Sequence, residues 1–164
     1  GMLKGNGTAI SAATAGTDYV SPANHITGYI TSNQLTASGT AVNVTGMSFA
    51  IAANEVWSVE FFLGIVNEAS GSDTKVAIDV PTAATVGGNV DGSGSGGGDY
   101  DIITADATLT GGVASFTSGS IRVAALIQNG ANAGTVQLMF ASGDGINDTS
   151  VVGGRTYFVA RKMN

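Results

Sequence analysis

Between Glu55 and Val66 the chain alternates without a break. Trp57, Val59, Phe61, Leu63 and Ile65 fall on one side, and Val56, Ser58, Glu60, Phe62 and Gly64 on the other. Successive side chains of an extended strand point to opposite faces, so a strict period of two over this length predicts a β-strand with one face in a core. Phe62 on the second face predicts that this side is partly covered as well. Such a strand needs partners, and further alternating runs supply them. Val76, Ile78 and Val80 alternate up to Pro81. Ile121, Val123, Ala125 and Ile127 share a face within Phe116–Gln128, and Val136, Leu138 and Phe140 alternate again. Val42 and Val44 begin another run whose phase jumps at Gly46 to Met47, Phe49 and Ile51. A glycine at a phase jump marks a bulge or sharp bend. Tyr157, Val159 and Arg161 close the chain.

The punctuation agrees with strands. Ala53-Asn54, Asn67–Asp73, Asn129-Gly130 (lengthened by Ala131–Gly134) and Gly143–Asp148 read as turns. Gly87–Gly98, almost all Gly and Ser, reads as a flexible loop. About eight strands result, with no convincing helix and no repeat of 20–50 residues. The expected fold class is all-β, an antiparallel β-sandwich. Residues 2–33 differ: large apolar residues are sparse and no period persists. The expected organisation is an N-terminal arm or stalk-linker at 1–33 and a sandwich head at 34–164.

Composition then limits the function. Charged residues are 11% of the 164 and the net charge is −6. Phosphate contacts need basic groups, so nucleic acid and anionic membrane are not expected partners. Two readings of the low charge stay open: a surface of Ser, Thr, Asn and Gly, or a surface covered by copies of the same chain. Cysteine is absent, which removes disulfide frameworks and thiolate metal sites. The longest apolar run, Phe61–Val66, is far short of the roughly 20 residues of a membrane helix. No secretion signal is expected, because no continuous apolar segment follows Lys4.

No constellation of reactive residues emerges. His25 is the one histidine, beside Asn24 and without a G-x-S-x-G elbow, and reads as a solvated or interface residue. The Gly-rich stretch lacks the Gly-Lys-Ser/Thr ending of a phosphate loop, and Asp91 and Asp99 would repel phosphate. Asp91, Asp99 and Asp101, and Asp144 and Asp148 with Asn147, are carboxylate clusters of the kind calcium uses, yet their spacing is not that of an EF-hand and turn formation accounts for them. Glu55, Glu60 and Glu68 lie along one strand and its end, with nothing to set a glycosidase pair across a cleft. Trp57, Tyr100 and Tyr157 are candidates for a sugar-stacking platform, although Trp57 alternates with core residues. Arg155, Arg161 and Lys162, half of the basic residues, read as a solvated strand face or an inter-subunit ion pair. Asn6, Asn43 and Asn147 begin glycosylation triplets too short to be informative. No catalytic, cofactor or metal residue is assigned, no cofactor is expected, and the binding residues stay unassigned.

The segment Leu3-Lys4-Gly5-Asn6-Gly7-Thr8, Ile10-Ser11-Ala12-Ala13, Ala15-Gly16-Thr17-Asp18-Tyr19 and Pro22 resembles one that recurs in bacteriophage tail and tail-fibre proteins ahead of a terminal domain. Thr149–Lys162 is similar to the closing strand of such domains, as is Gly46-Met47-Ser48-Phe49 followed by Ala53–Trp57. The middle of the chain carries no such likeness. The resemblance implies a virion structural protein made in the bacterial cytoplasm, a tail or tail-fibre tip module for assembly or host attachment. It further implies a homotrimer with a jelly-roll head of the tumour-necrosis-factor or C1q type. Other tail proteins and a bacterial surface glycan or protein are the implied partners, without membrane insertion. The alternative reading is a carbohydrate-binding or adhesion β-sandwich outside any virion.

Overall fold

The computed structural model describes residues 3–5, 10–12, 24–69, 72–94, 97–103, 106–112 and 117–164. Among them there is no helix and every long element is a strand. Near the N-terminus β1 (Leu3–Gly5) and β2 (Ile10–Ala12) pair antiparallel as a short hairpin.

The strands of the head are β3 (His25–Tyr29), β4 (Gln34–Thr36), β5 (Val42–Ile51), β6 (Val56–Asn67), β7 (Thr74–Asp79), β8 (Thr85–Gly94), β9 (Gly97–Ile103), β10 (Ser118–Gln128), β11 (Gly134–Ser142), β12 (Thr149–Val151) and β13 (Tyr157–Lys162). They form two antiparallel sheets. The larger has the order β3-β13-β6-β10-β8-β9, with β12 joining β6 to β4; the smaller has the order β5-β11-β7. The chain crosses between sheets at β5, β6, β7, β8 and again at β11 and β12. The first strand of the head, β3, ends beside the last, β13.

The expected alternation is realised. Trp57, Val59, Phe61, Leu63 and Ile65 of β6 face Val136, Leu138 and Phe140 of β11, Met47, Phe49 and Ile51 of β5, and Val76 and Ile78 of β7 in one buried cluster. Phe49 crosses the gap between sheets to Trp57 (ring centroids 5.4 Å apart) and Phe158 (5.5 Å), and Phe158 meets Phe61 (5.6 Å). The phase jump at Gly46 is a bulge: φ there is +86°, and the pairing of β5 with β11 shifts register across it. A side chain at that φ would be strained, which accounts for the glycine. A polar knot joins the sheets at one end. The buried hydroxyls of Thr74 and Thr149 reach Asn67 Oδ1 at 3.0 and 2.7 Å, and Asn67 Nδ2 donates to the Ser72 carbonyl.

Two expectations need correction. Gly87–Gly98 is not a loop, since β8 and β9 run through its described residues. Val86 and Val90 pack inward, and the backbone pairs with β10 from Gly119 to Gln128. Glycine left no alternation to read, while the ladder supplied the order: a Cβ at Gly88 would collide with the Ala124 carbonyl. Residues 25–29, left in the arm, form β3 on the edge of the large sheet, so the sheet begins ahead of residue 34. Ile26 is its one aliphatic residue, too little for a periodic signal. In β13 the buried phase is Phe158 and Ala160, which turns Tyr157 outward. Phe116, expected in the β10 strand, lies outside the described residues.

Candidate functional site

The pairing registers place side chains of six strands in rows on the outer face of the large sheet. One row reads Tyr29, Tyr157, Phe62, Arg122, Asp91, Tyr100. The next reads Thr27, Val159, Glu60, Ala124, Asn89, Ile102, and a third reads His25, Arg161, Ser58, Leu126, Gly87. Leu35, Ser150 and Val66 continue the face across β12.

This face is unusually apolar for one turned to solvent. Nine large apolar side chains are exposed among the described residues, and eight of them lie on it: Tyr29, Leu35, Val66, Tyr100, Ile102, Leu126, Tyr157 and Met163. The ninth, Ile146, sits in a turn. At roughly 100 Å² each, eight such side chains present on the order of 800 Å², one partner's share of a standard protein interface. They are spread over the sheet, with Arg122, Asp91 and Glu60 lying between Tyr29 and Tyr157 on one side and Tyr100 and Ile102 on the other. Two of the face's charges are matched to each other. Arg122 holds Glu60 in a two-pronged pair (2.8 and 2.9 Å), and this bond keeps the Glu60 carboxyl below its ordinary value. Tyr157 stacks on Phe62 at 5.5 Å and 23°, and Tyr100 donates to Asn89 Oδ1.

The candidate residues separate accordingly. Trp57 is buried, while Tyr100 and Tyr157 share the outer row, so the three make no common platform. His25 is exposed at the sheet edge opposite Arg161. Asp144 is exposed and engaged by the amides of Ile146 and Asn147, the Asn147 side chain and the Ser142 and Ser72 hydroxyls. The Ile146 amide leads in holding its carboxyl far below the usual range. This is the bonding of a turn-forming aspartate. Asp101 is likewise spent on the amides of Ile102 and Gly111. Asp79 is pushed up, first by burial and then by the charge of Asp106, whose Oδ1 accepts from the Val80 amide. No group of three potential metal-binding side chains occurs among the described residues. Asn43 lies on β5, Asn147 in the Asp144 turn, and Asn6 and the side chain of Asp99 outside what is described.

Glu55 and Lys162 form an internal bolt rather than a site. Lys162 Nζ lies 2.7 Å from Glu55 Oε1, while Oε2 accepts from Trp57 Nε1 and the Ala52 amide. Burial alone would push the Glu55 carboxyl up; Lys162, Trp57 and Ala52 together outweigh it and hold the group below its ordinary 4.5. A folded value below the unfolded one means that the stabilisation is complete above the unfolded value and is lost as pH falls through the folded one. Glu55→Gln is therefore expected to cost on the order of 1–2 kcal/mol at pH 7 and progressively less below about pH 4, read from urea midpoints across pH. An equal cost at pH 7 and pH 3 would contradict the ionic role.

The geometry thus defines an antiparallel β-sandwich with one apolar outer sheet face. No family model matches the chain, and no curated protein matches it. Among solved structures, that of infectious bursal disease virus strain Gx aligns at 12% identity and a TM-score of 0.20, over 84% of this chain and 35% of that one. That of strain Gt aligns at 10% identity and 0.24, over 100% and 42%. A mutant VP2 protein of the same virus aligns at 12% and 0.24, over 84% and 38%. The chain thus spans well under half of each structure, and scores of this size do not identify a shared fold.

Proposed function

We propose that this chain is a bacteriophage virion structural protein without enzymatic activity, a tail or tail-fibre tip module that serves assembly or host-surface attachment. The observation that carries the reading is the apolar outer face of the large sheet, set behind an N-terminal segment that resembles those of phage tail proteins. A face of this kind suits a protein that works surrounded by copies of itself. On this reading three copies associate through its β10–β8–β9 side, around Leu126, Tyr100 and Ile102, which leaves Tyr29 on the β3 edge uncovered, and other tail proteins hold the N-terminal segment.

The order of the strands supports a jelly-roll assignment of the tumour-necrosis-factor or C1q type. Consecutive strands pass between two sheets, and the first and last strands of the head pair at one edge. The β8–β9 hairpin is then an insertion that widens the large sheet beyond β10.

Immunogold microscopy tests the placement. An antibody against the purified chain is expected to label tail ends of the particles in a lysate containing the protein. Label on the bacterial envelope, with none on particles, would overturn the virion reading in favour of a cellular adhesion domain.

A further inference from the structure

We infer that the cleft between the β3–β4 connection and the bulge of β5 is a binding site for a neutral sugar, a terminal hexopyranose unit of a glycan. The inference goes beyond the virion reading and does not depend on it.

The cleft has a volume of about 430 Å³ and is lined by Tyr29, Ile30, Thr31, Ser32, Gln34, Thr45 and Gly46. That lies within the range of small-molecule sites. Its lining is built in place. Gln34 bridges to β5 as a strand neighbour would: Nε2 donates to the Thr45 carbonyl (2.8 Å) and Oε1 accepts from the Thr45 amide (2.7 Å). This double bond fixes the two walls relative to one another. Gly46 keeps one wall low, because its φ of +86° disfavours a side chain there.

The chemistry of the lining selects the ligand. No charged side chain lines the cleft, so neither an anion nor a cation has a counter-charge there. Tyr29 is 71% exposed, leaving much of an aromatic ring open at the rim. The hydroxyls of Thr31, Ser32 and Thr45 are exposed, and among the described residues no side-chain hydrogen bond engages them. Each can donate one bond and accept others. An aromatic ring beside several uncommitted neutral hydroxyls matches a pyranose, which offers an apolar C–H face and a ring of hydroxyls. An apolar peptide would leave those hydroxyls unmatched.

The position suits a surface glycan. The cleft opens beside β3, at the opposite edge of the large sheet from Tyr100 and Ile102 on β9. Five strand spacings separate those edges, on the order of 24 Å. One open site of this size binds weakly, with Kd on the order of millimolar, and several copies in one assembly raise the apparent affinity.

The test is a ¹⁵N–¹H NMR titration of the full chain with methyl glycosides of glucose, galactose, mannose and N-acetylglucosamine, each to about 50 mM. At least one is expected to shift amides at Ile30–Gln34 and Thr45–Gly46 in a saturable way. Tyr29→Ala is expected to abolish the shifts, Tyr29→Phe to retain them, and Thr45→Val to weaken binding about tenfold at an unchanged melting temperature. Shifts with none of the four sugars would overturn the proposal, as would saturable shifts confined to other parts of the chain. Binding that survives both Tyr29→Ala and Thr45→Val would also overturn it. Failure here leaves particle labelling by the antibody untouched, so the two readings fail separately.

Discussion

Phe158→Ala is expected to destabilise the fold by about 3–5 kcal/mol, the range for deleting a buried aromatic ring. Phe158 is buried on β13, where it joins Phe49 of the small sheet to Phe61 of the large one. Its ring also lies over Gly28 of β3, its cross-strand partner, so that a Cβ at Gly28 would overlap the ring edge. Gly28→Ala alone is therefore expected to cost about 1–3 kcal/mol through overpacking. With Phe158→Ala already made, the overlap is gone, and the added methyl fills part of the space. The double variant should accordingly be more stable than the two single costs predict, by at least about 1 kcal/mol in urea denaturation. Simple additivity would contradict the contact between β3 and β13, and with it the position of β3 on the sheet.

The second large effect concerns assembly. Leu126 is 54% exposed in the single chain and lies in the third outer row, between Ser58 and Gly87. Leu126→Glu should barely change the stability of one chain, within about 0.5 kcal/mol, because no buried contact is lost. On the proposed reading it places an unpaired carboxylate in an interface between copies that each carry a net charge of −6. The association constant should fall at least about a hundredfold. Ile146→Glu is the control: Ile146 is more exposed still, at 79%, but sits in a turn away from this face. It should leave association unchanged. If both substitutions act alike, the effect is one of charge in general and not of the sheet face.

How much of this was legible depends on whether side chains alternate. The strands β6, β10 and β11 could be read directly, because Trp57–Ile65, Ile121–Ile127 and Val136–Phe140 each bury one phase. The bulge at Gly46 could be read because the apolar phase slips across it. The strand β8 could not, since Gly87, Gly88, Gly92 and Gly94 have no side chain to alternate and Val86 and Val90 are four residues apart. Tertiary pairing with β10 overrode the local preference of glycine for a loop. β3 was hidden for a related reason, having Gly28 where an inward side chain would stand.

The outer face was illegible for a different reason. Leu126, Tyr100, Ile102 and Tyr157 each look like an isolated apolar residue in a polar phase. They form a surface once the pairing registers of six strands align them, and register is a property of the fold rather than of any single strand. The cleft at Tyr29 depends on Gln34 and Thr45, eleven residues apart, and on a pairing that no local pattern announces. The carboxylates were read as turn formers, which is how Asp144 and Asp101 are bonded. Asp144 and Asp101 form clusters in sequence, but their oxygens are occupied by neighbouring amides and hydroxyls.

Light scattering of the unmodified chain after size exclusion, at several dilutions, tests the central claim most directly. The account predicts a constant mass of three times the 16.2 kDa chain, reduced toward a single chain by Leu126→Glu. A mass of one chain at every dilution would contradict it, for the apolar face of the large sheet would then be uncovered in solution.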